Sequence, residues 1–229
     1  MARKIKTEKA KKKTFIKVVV ILLVLVLLGV GGFFGYKHFF SEKKTAQENK
    51  VVDEIKEFEY TLRERDSKYF KSEYAELKKI LTAKEIDRKA YATQLAKMFI
   101  IDLYTMNTKV NKYDIGGIQF VYPEKKEMHS QKVIDTIYQT MLDDTYGDRK
   151  QELPEVKEVK VISTEETKFK YNKQELDAYL VKMEISYVKD LKYDTQASVI
   201  VIRENFDKEA TDNDKLCVAD FQPTLNPKY

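Results

Sequence analysis

Tyr179–Tyr187 reads YLVKMEISY, and its period decides the fold. Tyr179, Val181, Met183, Ile185 and Tyr187 alternate with Leu180, Lys182, Glu184 and Ser186. That is the pattern of an antiparallel strand with one face in a core and the other in water. The period of two extends to both sides. Upstream, Val159 and Val161 alternate with lysines from residue 156 onward. Downstream, Ala197, Val199 and Val201 share a strand with Ser198, Ile200 and Ile202, apolar on both faces near its centre. Leu216 to Phe221 forms a last strand before Pro223, and the segments 188–194 and 205–214 suit hairpin turns.

Before residue 150 the period is helical. Val51, Ile55, Phe58 and Leu62 are spaced as one apolar stripe, and Phe70, Tyr74, Leu77 and Leu81 repeat it. Each stripe is too short for a coiled coil and predicts an amphipathic helix or hairpin docked on the domain. A third helix is expected over 83–106, with Ala92, Leu95, Ala96, Phe99, Leu103 and Met106 on one face. Ile100 and Ile101 point elsewhere, so this helix should be buried on more than one side, at the centre of the core. Asn111 to Gly117 (NKYDIGG) is a turn, and Ile118 to Tyr122 (IQFVY) reads as a strand stopped by Pro123. A helix over 125–143 should turn Ile134, Ile137, Tyr138 and Met141 inward, with Gly147 and Pro154 marking the break after it. Helices first and strands last is an α+β order: helices packed on a curved antiparallel sheet of about four to five strands.

The N-terminus is of another kind. Val18 to Tyr36 runs for nineteen positions without a charge, which as a helix roughly matches a hydrocarbon core of about 30 Å. Arg3, Lys4, Lys6, Lys9, Lys11, Lys12, Lys13 and Lys17 precede it against Glu8 alone, so the N-terminus is expected in the cytoplasm and the C-terminus outside. A cleaved signal peptide is the rival reading. The length of the run and the aromatics Phe33, Phe34, Tyr36, Phe39 and Phe40 favour a retained single transmembrane helix. Gly31 and Gly35 form a GxxxG pair that would suit a dimer seam in lipid, although glycine is common in membrane helices anyway. The expected organisation is a basic tail (1–17), an anchor (18–40), a polar tether and helical spacer (41–82) and an α+β domain (83–229).

Charge follows this division. The whole chain carries +5, but residues 1–17 alone carry +7, which leaves −2 for the rest. The basic surplus belongs to the anchor's flank, where it attracts anionic lipid, and a nucleic-acid footprint is not expected. Cys217 is the only cysteine, so no internal disulfide can form. An exported domain built on its core alone fits a bacterial plasma membrane with the domain outside.

Reactive constellations are few. Beyond the anchor only Gly116, Gly117 and Gly147 are available, so no phosphate-cradling loop is expected. His38, His129 and Cys217 lack zinc-ligand spacing, and no cofactor or metal site is expected. His129 is expected as a solvated histidine early in a helix. Asp212, Asn213 and Asp214 lack the alternating ligands of a calcium loop and read as a polar turn. Asp102 borders the central helix's apolar face near Tyr104. The pair could act as acid and tyrosine in a pocket, with a partner-satisfied aspartate as the plainer reading. Tyr60, Tyr69, Tyr74, Tyr91, Tyr171 and Tyr193 cannot all be core, and some should serve interfaces.

The element order, together with the stretches MFIIDLYTMN (98–107), IQFVYP (118–123) and ASVIVIREN (197–205), resembles the nuclear-transport-factor-like cone fold. Single-pass scaffold proteins of type IV secretion and conjugation use that fold. The likeness covers residues 83–222 and the anchor and leaves 48–82 unexplained. It implies a non-catalytic assembly protein that self-associates and contacts other envelope proteins. The alternative is a ligand-binding module whose cone pocket takes a lipid, peptide or wall fragment.

Overall fold

The computed structural model describes residues 49–209, 211 and 213–223. The basic tail, the anchor expected at 18–40, Gly31 and Gly35 lie outside the described residues. No helix among the described residues is long and apolar enough to cross a membrane.

The order is α+β. A two-stranded hairpin comes first, β1 (Val51–Ile55) with β2 (Tyr60–Arg63). Three helices follow: α1 (Lys68–Leu81), α2 (Arg88–Tyr104) and α3 (Lys126–Asp135). The chain then makes an antiparallel meander, β3 (Val156–Tyr171), β4 (Gln174–Tyr187), β5 (Gln196–Arg203) and β6 (Leu216–Pro223), in the spatial order β3-β4-β5-β6.

The meander follows the period of two. Val181, Met183 and Ile185 of β4 are buried while Lys182, Glu184 and Ser186 face water. Toward the β3–β4 turn the phase inverts. Leu176 and Ala178 are buried on the opposite face with Tyr122, Ile202, Cys217 and Ala219, and Phe169, Tyr171 and Phe206 pack against them. A twisted sheet thus has a main core on one face and a small aromatic one on the other at its far end.

The sequence of α2 explains its central place. Asp87 caps its start, accepting from Ala90 N at 3.0 Å. Ala92, Leu95, Ala96, Phe99, Ile100, Ile101 and Leu103 are all fully buried, because the helix packs on α1 and on every strand of the large sheet. On α1, Ser67 caps the N-terminus and Phe70, Tyr74, Leu77 and Leu81 face the core.

Three segments differ from the sequence expectation. Residues 51–63 form a hairpin, not a helix, turning through Glu59 at φ 55°. Ile55 and Phe58 are buried as either pattern would demand, but Tyr60 settles it. Its hydroxyl donates to Leu216 O at 2.8 Å, 156 residues on, and meets the Tyr91 hydroxyl at 2.6 Å, 31 residues on. Tyr74 OH donates to Tyr60 O at 3.0 Å. Tyr60, Tyr74 and Tyr91 are therefore core residues, and the hairpin and α1 are built into the domain and do not stand apart as a spacer.

Ile118–Phe120 is a single 3-10 turn instead of a strand. It opens at Gly117 with φ 75°, and Val121 makes only one bridge, to Val218 on the outer edge of β6. The helix expected to reach residue 143 stops at Asp135. Thr136 leaves helical geometry (φ −123°, ψ −85°), and Tyr138 N reaches back to Val133 O. That turn drives the Tyr138 ring into the core, where its hydroxyl donates to Leu103 O at 2.7 Å.

Candidate functional site

Beyond the Val121 bridge, the outer edge of β6 has no strand beside it among the described residues. It faces α3 instead, and between them lies an open cavity of about 1300 Å³ closed at one end by the loop 190–195. Met128, His129, Val133 and Ile137 line one wall, and Val218, Phe221 and Pro223 the other. Its size is that of a ligand or peptide cleft, well above a packing defect.

An aromatic chain backs this cavity. Phe99 lies 5.5 Å from both His129 and Phe221, Tyr104 lies 6.2 Å from Phe221, and Tyr187 lies 6.3 Å from Tyr104. At the loop end, Tyr104 OH donates to Asp194 Oδ2 at 2.7 Å and Tyr187 OH donates to Asp194 O at 2.7 Å. Burial and the Asp194 charge hold the Tyr104 hydroxyl protonated far above the usual phenol range. Tyr104 thus fixes the loop that ends the cavity, while its own side chain stays covered. Lys125, Lys132 and Lys192 line the cavity together with Asp190, Asp194 and Asp220, so the site has no single charge sign. Lys125 is tied down, donating to Ala219 O at 2.6 Å with its ammonium 5.0 Å over the Phe169 ring.

His129 is not a solvated histidine. Its Nε2 is buried without a hydrogen-bond partner, and burial beside Lys132 holds its pKa down to about 4. The imidazole is therefore neutral at physiological pH, with an unused polar atom. Because the folded pKa lies below the unfolded value near 6.5, its contribution is complete above about 6.5 and is lost as pH falls toward 4. We expect His129→Leu to remove that loss, raising relative stability by about 2 kcal/mol near pH 4.5 and little at pH 7.5, as read by thermal melts.

Asp102 and Tyr104 do not share a pocket. Two residues apart on a helix, their side chains diverge by about 200°. Asp102 does not line the cavity. It pairs with the buried Lys109 and accepts from Gly117 N at 2.7 Å, which ties the turn 111–117 to the end of α2. Asp66 shares this charged environment. Burial first, then the Asp102 charge, pushes its pKa up to about 6. A carboxyl raised in the folded state stabilises most when protonated, and that contribution is lost as pH rises from about 4 through about 6. Asp66→Asn keeps an acceptor for Arg63 N. It should add about 1–3 kcal/mol at pH 7.5 and almost nothing at pH 4, a difference that melts at the two pH values will read.

The remaining sequence candidates are structural. Cys217 is buried in the smaller cluster with its thiol directed at Ile202 O, and burial raises its pKa far above the thiol range. Asp214 binds Arg203 at 2.9 Å and Thr211 N at 2.9 Å, as a polar turn should, while Asp212 lies outside the described residues. Among the described residues no group of three or more His, Cys, Asp or Glu could hold a metal ion. The cavity itself had no sequence signal, since its lining comes from segments up to about a hundred positions apart. Comparison with family models, curated proteins and solved structures returned no match to this chain.

Proposed function

We propose that the protein is a single-pass protein of a bacterial plasma membrane whose outer domain recognises a protein partner in an envelope assembly. It acts by contact and not by catalysis. The uncharged run at 18–36 and its basic flank support the anchoring, with the N-terminus inside. The observation that carries the recognition is the cleft beside β6: on one side the strand's outer edge beyond Ala219, with no strand beside it among the described residues, and on the other an apolar helix face. An extended segment of a partner can add backbone hydrogen bonds to such an edge while its side chains enter the cleft. A setting in conjugation or type IV secretion agrees with the cone-fold resemblance, and a homo-oligomer through the anchor is compatible with it.

A photo-crosslinking residue placed at Met128, which is exposed at the rim, tests this in cells carrying the full chain. Adducts with a defined envelope protein are the expected result. If only the uncrosslinked protein is recovered while the same probe at other surface positions behaves alike, protein recognition at this cleft is wrong.

A second reading follows from the neutral His129 and the largely apolar lining. The cleft would then hold a lipid, peptide or wall fragment that satisfies the imidazole. Native mass spectrometry of the full chain distinguishes the two: a retained small molecule, lost in His129→Leu, would favour the ligand.

A further inference from the structure

The chain enters its domain at Asn49, and the surface around that point is unusual. Asn49 Oδ1 accepts from Arg65 N at 3.2 Å and Lys50 O accepts from Glu64 N at 2.8 Å, so the incoming strand is held in register with the end of β2. Four large apolar side chains stand exposed around it: Val51 and Val52 at 56%, Tyr113 at 69% and Tyr146 at 54%. They belong to one connected region. Val51 pairs with Arg63, whose guanidinium holds Asp114 at 3.3 Å, next to Tyr113. Arg65 and Arg149 reach Asp144 at 3.7 and 3.8 Å, at the start of the turn that carries Tyr146. Val110 joins the two loops, giving its N–H to Asp114 at 3.1 Å and accepting from Asp144 N at 2.7 Å.

We infer that this end of the domain is a lipid-docking surface, with Tyr113 and Tyr146 seated in the headgroup region of the outer leaflet and Val51 and Val52 beside them. The inference rests on the membrane-anchored reading. Between an anchor ending at residue 40 and Asn49, the segment 41–48 spans at most roughly 30 Å when fully extended. That length bounds how far Asn49 can stand from the anchor's end. Tyrosine suits that depth, having an apolar ring and a hydroxyl for the wet side. Lys112 holds its ammonium 5.3 Å over the Tyr113 ring, where it can meet phosphate as the ring enters the interface. Arg63, Arg65 and Arg149 are engaged by Asp114 and Asp144, so the attraction is of aromatic and aliphatic insertion more than of a basic cluster. Scattered exposed apolar residues are ordinary on any surface; here they gather where the tether attaches.

The test uses the full chain in phosphatidylethanolamine–phosphatidylglycerol vesicles containing a doxyl-labelled lipid. An environment-sensitive fluorophore is attached to Tyr113→Cys, Tyr146→Cys or Asn172→Cys. Cys217 is buried and stays unlabelled. Asn172 is the control, at the tip of the β3–β4 hairpin. The sixteen residues of β3 place that tip about 50 Å from the hairpin's base. The base lies beside the segment that joins the docking loops: Met106 N donates to Pro154 O at 2.9 Å, and Arg149 Nη2 donates to the neighbouring Asn107 O at 3.2 Å. Labels at 113 and 146 should show blue-shifted emission and quenching by the doxyl lipid, and the label at 172 neither. Vesicles that keep the protein through alkaline carbonate while 113 and 146 behave like 172 would overturn the docking alone. Loss of the protein to carbonate would overturn the anchor, and the docking with it.

Discussion

Gly116→Ala should lower stability by about 3 kcal/mol or more, a fall of about 6–12 °C in Tm for a chain of this size. The reason is steric. A Cβ on Gly116 would sit 2.0 Å from Asp102 O and 2.6 Å from Asp102 C, both backbone atoms of α2, and 2.9 Å from the Tyr138 hydroxyl. No rotamer change relieves a clash with main chain, so the turn or the helix must move. Either movement strains the bonds that close this region: Gly117 N to Asp102, Gly116 N to Tyr138 OH at 3.3 Å, and Tyr138 OH to Leu103 O. A thermal melt within a degree or two of the parent protein would show that the turn 111–117 can lift off α2, contrary to this packing.

Lys109→Met should cost about 3–5 kcal/mol near pH 7.5. Only 4% of the Lys109 side chain is exposed, and it neutralises Asp102, whose side chain is 15% exposed. Without it, Asp102 keeps one backbone donor and faces Asp66, whose own carboxyl already resists ionisation. The methionine fills the space of the lysine stem, so the loss reports mainly the orphaned charge and little of the packing. Two further results follow. The loss should shrink as pH falls below about 6 and Asp66 takes up its proton. The double variant Lys109→Met/Asp102→Asn should recover most of it, because a buried pair replaced on both sides leaves no unpaired charge. If the double variant is as unstable as the single one, Lys109 matters through something other than this pair.

Local pattern and tertiary contact contribute differently to what can be read. The burial of both faces of β5 and the four-residue stripe of α1 follow residues close in sequence, and both were legible there. The hairpin at 51–63 was not. Val51, Ile55, Phe58 and Leu62 satisfy a helical spacing by coincidence, and the deciding contacts, Tyr60 with Tyr91 and Leu216, come from distant segments. IQFVY misled for a related reason. Its composition suits a strand, but β6 offers it only the bridge at Val218 and the hydrogen bond from Tyr122 N to Val218 O at 2.9 Å. Asp102 stands out in sequence for its place on an apolar helix, and a lysine seven residues on answers it. Nothing near His129 in sequence covers it; Phe99 does so in space.

From the sequence alone came the α+β order, the central buried helix, the near-neutral charge beyond residue 17 and the expectation of a membrane anchor. Each depends on residues within a few positions of one another, where the periods 2 and 3.6 and the run of apolar residues carry the information. The tertiary structure alone decided that α1 and the first hairpin belong to the core, that Asp102 and Tyr104 face apart, and that α3 and β6 enclose a cleft. Those depend on which distant surfaces meet, and burial of Tyr60, Tyr91 and Tyr138 with their hydroxyls satisfied is what selects that meeting.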